Sequence, residues 1–397
     1  MNRLLFIFLL VFPKGGFKIG DLPITWGYLL LACWTIYSLY KPLSIERNHF
    51  KSLLSLFPFQ ILSTAHLLIN GTESIDYTIA LLTNFIFIPL IMFAFLPVWD
   101  LNVFLKLIKN SVLPLSLYGI VLFVYQIFTG NFFEIPLITT NINDYGQLIN
   151  KCNLRVDGIS KLVSTYNNGN IYGLCLLMIL PLYCFVEKNK WKQGIVKLSL
   201  LLTLSRTVWI GIFIHEILNA IFLQKNSKML LIKLGIPASI ILALLIYTGL
   251  DSNFIWDHTL GGRVEQLDVL TELPLLSTRP FEGIAEISYL GILSSFGLIG
   301  LLTYLFGLLT PLWISLSNRN QVFTAIRCGL INYLIISCSD GAVLLIPVMA
   351  VFWLLASVAL SEQLGAQKWI EDTGYSSTQQ TSSRYSKGDK LTLSHPK

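Results

Sequence analysis

Four arginines and a glutamate have the chemistry to hold and transfer a phosphorylated group. Arg206 lies within "LLTLSRTVWIGIF", amid side chains that otherwise prefer hydrocarbon. Arg155 lies in "NLRVDGISKL", Arg263 follows a glycine pair, and Arg279 precedes Pro280. A guanidinium donates two parallel charge-assisted hydrogen bonds, which suits it to diphosphate. Glu286 stands at the head of an apolar stretch. There a carboxylate can serve as a general base or simply complement a helix dipole. Asn167 and Asn170, in "STYNNGNIYG", carry amides suited to hydroxyl-rich ligands or to capping the next helix. Tyr166 and Tyr289 offer rings that could stack on sugars. Trp256 reads better as an interfacial anchor. His258 has no partner at metal-ligand spacing, and the six cysteines show no CxxC. No metal and no cofactor is expected.

The elements that position these residues are membrane helices. Hydrophobic residues make up 54% of the 397-residue chain and charged ones 13%, against about 25% charged in soluble domains. Apolar segments long enough for a hydrocarbon core recur at roughly 3–13, 22–40, 52–70, 76–98, 111–129, 169–186, 194–223, 232–250, 287–316, 322–339 and 342–360. In lipid these must be helices. The fold class expected is all-α, a polytopic bundle of about 11–12 transmembrane helices over residues 1–360. Two larger external loops, about 130–168 and 251–286, interrupt it. The Ser-, Thr- and Gln-rich tail, 361–397, reads as a disordered cytoplasmic segment. The opening "MNRLLFIFLLVFP" has no small-residue cleavage site after it and reads as a short first span.

Orientation comes from the lysines. The connections "KPLSIERNHFK", "LKLIKN", "EKNKWKQ" and "QKNSKMLLIK" are basic, as is the tail, which marks them as cytoplasmic. Segment 194–223 has lysines on both flanks. As one straight helix it would be ~45 Å long, and one basic flank would lie outside. A hairpin with Ser205–Arg206 at its turn keeps both flanks inside and makes loop 251–286, where acids outnumber Arg263 and Arg279, external. Arg206 then opens toward the external face, and an intramembrane arginine there is a functional-site candidate. The net charge of +6 belongs to these loops and does not imply nucleic acid.

At these residues the chain resembles the O-antigen polymerase and O-antigen ligase superfamily of bacterial polysaccharide assembly. Three stretches carry the resemblance, in order, between about Leu154 and Leu305. "RVDGISKLVSTYNNGNIYG" is similar to the family's Arg-x-x-Gly with an Asn-containing helix start. "LTLSRTVWIG" is similar to its Ser-Arg turn with Trp-x-Gly. "EISYLGILSSFGLIGLLTYL" is similar to the element after its large external loop. The resemblance implies a metal-independent glycosyltransferase using an undecaprenyl-diphosphate-linked glycan. Arg155 and Arg206, with Arg263 and Arg279, would bind the diphosphate, and Glu286 and Arg206 would be catalytic. Asn167, Asn170, Tyr166 and Tyr289 would meet the glycan. Ligases of the family carry His-Asn where this chain has Glu286–Ile287, which favours a polymerase.

The alternatives are a ligase that moves finished polymer to lipid A core or another acceptor, and, in a different class, a glycolipid flippase. The partners expected are the lipid-linked donor and acceptor, the bilayer, a flippase and a chain-length regulator. The location expected is the bacterial cytoplasmic membrane, with both termini cytoplasmic and the active site on the external face.

Overall fold

A computed structural model describes residues 2–19, 22–40, 45–95, 100–148, 154–156, 159–224, 230–248, 263–318 and 320–365. The chain forms a helical bundle. In order the elements are α1 (Asn2–Phe6), β1 (Gly16–Ile19), β2 (Leu22–Thr25), α2 (Trp26–Leu39), α3 (Arg47–Asn70) and α4 (Ile75–Ala94). Then come α5 (Leu101–Thr129), β3 (Leu154–Val156), β4 (Ile159–Ser160), α6 (Gly169–Val186) and α7 (Lys190–Leu201). The rest are α8 (Arg206–Leu223), α9 (Leu230–Thr248), α10 (Ser288–Ser315), α11 (Gln321–Ile336) and α12 (Ile346–Leu360). Six of these, α3, α4, α5, α6, α8 and α10, are long and apolar enough to cross a membrane. The two antiparallel hairpins, β1–β2 and β3–β4, depart from the all-α expectation. Leu22–Thr25 is strand rather than the start of a span.

Helix boundaries follow local chemistry. Asp100 caps α5 by accepting from the Asn102 amide at 2.8 Å, and Gly130, left-handed at φ 72°, ends it. Helix α6 is the centre of the bundle, buried along most of its length. Small residues let its neighbours approach. A Cβ on Gly329 of α11 would stand 1.9 Å from the Met178 carbonyl oxygen, and one on Gly173 would collide with Val208 of α8. The Tyr172 hydroxyl of α6 bonds Ser199 of α7 at 2.6 Å and donates to Ser116 of α5 at 3.3 Å.

The long apolar stretches do not all run straight. Segment 194–223 breaks at 202–205 and folds back. Close to the turn, Trp209 Nε1 donates to the Leu201 carbonyl at 2.9 Å. Farther from it, Lys197 of α7 pairs with Glu216 of α8. The arms are unequal: twelve residues in α7 span about 18 Å, and eighteen in α8 about 27 Å. Segment 287–316 is likewise interrupted, at Gly297 (φ 77°, ψ −175°), a conformation essentially confined to glycine. The Leu298 and Ile299 amides donate to the carbonyls of Pro274 and Leu275 at 2.8 and 3.2 Å. The loop before α10 thus satisfies the backbone groups that the break leaves open, as non-helical backbone at membrane depth requires.

The two ends of the bundle differ. At one end meet Glu46 and Ser361 (3.0 Å), Lys192 and Glu187 (3.5 Å), and Arg327, which donates to the carbonyls of Ser315 and Asn318. Arg3 and Lys106 line a cleft there. The other end gathers the starts of α6, α8 and α10, the end of α11 and the start of α12. Of the tail, Glu362–Gly365 forms a short helical turn; the remainder lies outside the described residues.

Candidate functional site

The second end holds a polar cluster centred on Asp340, in the connection between α11 and α12. It is buried, at 6% exposure. Three strands of sequence converge on this connection. Asn170, in the first turn of α6, donates its amide to Asp340 Oδ2 at 2.8 Å. Thr207, next to Arg206, shares a hydrogen bond with Ser339 at 3.1 Å. The Gly341 amide donates to the Glu286 carbonyl at 3.1 Å.

Arg263 links two carboxylates. Its Nε and Nη2 meet Glu286 Oε2 at 2.7 and 2.6 Å, and Nη2 lies 3.6 Å from Asp340 Oδ2. Buried Lys161 donates to Asn170 Oδ1 at 3.4 Å, so the amide of Asn170 is oriented from both sides. Burial pushes the Asp340 carboxyl up to about 6. Arg263 opposes that shift, Glu286 reinforces it, and the Asn170 hydrogen bond and Lys161 oppose it.

Arg206 begins α8 and is partly buried. The turn before it is clamped. The Leu202 carbonyl accepts from the Leu162 amide at 3.1 Å, and Leu204 is left-handed at φ 49°. Arg155 has its backbone in β3, opposite β4, whose chain leads directly into Lys161 and Leu162; its side chain lies outside the described residues. The hairpin tip and the first loop therefore sit together.

Other expected site residues fall elsewhere. Tyr166 is fully buried, its hydroxyl donating to the Leu10 carbonyl at 2.6 Å and its ring set edge-on to Tyr172. No ring face is open to a sugar, so it is a packing residue that closes the end of the first helical segment. The Tyr289 hydroxyl donates to the Leu334 carbonyl at 2.6 Å and ties α10 to α11. Asn167 is left-handed at φ 60°. The capping role belongs to Asn168, which accepts from the Asn170 and Ile171 amides at 2.8 and 3.3 Å. Arg279 is exposed and pairs with Glu272 at 3.2 Å, beside a cleft lined by Tyr77, Glu282 and Ser294. Trp256 and His258 lie outside the described residues. Among the described residues no group of three or more His, Cys, Asp or Glu side chains could hold a metal ion.

Asp340, Lys161, Thr207 and Ser339 are the members that sequence reasoning passed over. The signal for Asp340 was present: one carboxylate between two apolar stretches, the same anomaly that singles out Arg206.

Fold and site together define a class, a helical bundle with six helices long and apolar enough to cross a membrane and a charged cluster at one end. Compared with known proteins, the chain matches no family, no curated protein and no solved structure.

Proposed function

We propose that the protein is a polysaccharide polymerase. It joins undecaprenyl-diphosphate-linked oligosaccharide repeat units by glycosyl transfer at the external face of the cytoplasmic membrane. One observation carries this reading: the three stretches that resemble the polymerase and ligase superfamily converge on the Ser339–Gly341 connection, through Asn170, Thr207 and Glu286. Residues far apart in the chain meet at one end of the bundle, with the Glu286 side chain exposed at its edge.

Orientation supports the external placement. The opposite end carries the basic connections, which belong in the cytoplasm. At the site end the basic residues Lys18, Arg263 and Arg279 are each matched with a carboxylate, at 2.7, 2.6 and 3.2 Å. Both termini are then cytoplasmic, and the shorter apolar helices complete a set of about 11–12 spans.

In the reaction Arg206 and Arg155 hold the donor diphosphate, with Arg263 adjacent. They stabilise the negative charge that grows as the lipid diphosphate leaves, the effect that most often dominates transition-state stabilisation. A carboxylate of the Glu286–Asp340 pair receives the acceptor's proton, and Asn170 orients it. The partners are the lipid-linked donor and acceptor, with a flippase supplying them and a regulator setting chain length.

The test is Arg206→Ala. Long polymer is expected to disappear while protein level and lipid-linked single units persist. Arg206→Lys is also expected to be poor, since a point ammonium lacks the bidentate fork. Normal polymer from Arg206→Ala would sink the assignment. Finished polymer stranded on the carrier lipid in a deletion strain would instead identify a ligase.

A further inference from the structure

We propose that Asp340 is the proton-accepting carboxylate of this site, and that Glu286 serves the reaction by holding Arg263. The inference rests on the glycosyl-transfer reading and goes beyond it, because the sequence directs attention to Glu286.

The two carboxylates differ in what surrounds them. Glu286 is 58% exposed, and its Oε2 is taken by two N–H groups of Arg263. An exposed carboxylate clamped by a guanidinium is solvated, and its contacting oxygen is already engaged. Asp340 is enclosed, and its Oδ2 meets the Asn170 amide and Arg263. Its Oδ1 accepts no hydrogen bond from a described residue. Asp340 is thus held at a fixed angle through one oxygen with the other open, the arrangement a general base needs.

The charged and polar groups facing Asp340 come from several elements. Arg263 and Glu286 approach from the long loop before α10, Lys161 from the loop after β4, Asn170 from the start of α6, and Thr207 of α8 bonds the neighbouring Ser339. The buried Tyr333 hydroxyl, on the helix that precedes Asp340, donates to the Gly341 carbonyl at 2.7 Å. Burial, reinforced by Glu286 and opposed by Arg263, Asn170 and Lys161, brings the carboxyl to about 6, close to the range where base catalysis at neutral pH is most efficient.

The acceptor sugar's O–H bond breaks and its proton passes to Asp340 Oδ1. The acceptor oxygen bonds to the donor's anomeric carbon. The bond from that carbon to the diphosphate breaks, its electron pair leaving with the lipid diphosphate. Water afterwards takes the proton from Asp340.

The experiment uses the full-length protein in detergent with lipid-linked repeat units, following polymer against pH. Asp340→Asn is expected to slow polymerisation by about 100-fold or more, the usual contribution of a general base. Binding of undecaprenyl diphosphate should be retained, because Arg206 and Arg155 are untouched and Arg263 keeps its contacts with Glu286. The wild-type rate should fall on the acid side with a midpoint near 6. In Glu286→Gln that midpoint should move to lower pH, since the negative charge that raised it is gone; in Arg263→Gln it should move up.

A wild-type rate in Asp340→Asn, with Arg206→Ala inactive, would overturn this inference and leave the polymerase reading standing. Loss of the acid limb in Glu286→Gln would do the same and make Glu286 the base. That profile also decides the matter if Asp340→Asn does not fold. Activity in Arg206→Ala would instead remove the reading on which the inference rests.

Discussion

Asn170 donates its side-chain amide to the Asp340 carboxylate at 2.8 Å, across 170 positions of sequence. Two residues earlier, Asn168 spends its side chain on the helix N-terminus. Neighbouring amides of one motif therefore have separable roles. Asn168→Ala is expected to lower stability in detergent by about 1 kcal/mol without changing polymer length. Asn170→Ala is expected to reduce polymer formation about tenfold or more, since Asp340 loses its orienting donor. Thermal unfolding and glycan gels on both variants measure the split; equal behaviour would show that Asn170 is merely structural.

Asp340 also links stability to pH. Its folded carboxyl titrates near 6, above the ordinary 3.8, so the folded state binds the proton more tightly than the unfolded state does. Stability from this group is full below about pH 4 and is lost as pH rises through about 6, by roughly 3 kcal/mol at most. Asp340→Asn is expected to unfold at a higher temperature than wild type at pH 7.5. The gap should narrow to the equivalent of roughly 1 kcal/mol at pH 4.5 and close below about pH 4. A gap independent of pH would mean that the carboxyl titrates normally.

Lys197 and Glu216 form a pair that braces the two arms of the hairpin. Glu216 is 1% exposed, so removing Lys197 takes the bonded cation from a buried carboxylate. Lys197→Met alone is expected to cost about 3–5 kcal/mol. Lys197→Met with Glu216→Leu should recover most of that loss, because two apolar groups need no partner. A double variant no better than the single one would show that the pair is not what holds the arms.

Sidedness can be read by labelling. Ser205 at the turn is 2% exposed and a poor target, whereas Gln147 and Trp191 are exposed at opposite ends. In a cysteine-free background, Gln147→Cys should react with an impermeant maleimide on intact cells. Trp191→Cys should react only after permeabilisation. The reverse pattern would place the Asp340 cluster in the cytoplasm and end the external-transfer mechanism.

Much of the architecture was legible in the chain. Lysines on both flanks of 194–223 called for a reversal at Ser205–Arg206, and the break lies there. The break at Gly297 was not legible, because its cause is the 274–275 backbone arriving from another segment. Tyr166 shows the same limit. An aromatic beside a loop reads equally well as a sugar platform or a packing residue, and only the complete burial of Tyr166 against Leu10 and Tyr172 decides between them.

By itself the sequence determined that this is a many-helix protein with basic connections at one end, since hydropathy and charge act locally and lipid permits few backbone solutions. It also marked Arg206 and Glu286 as polar groups in apolar company. Only the tertiary structure decided that Asp340 is the hub. A carboxylate's basicity depends on burial and on the charges beside it, and Arg263, Asn170 and Glu286 reach Asp340 only once the helices that carry them have packed.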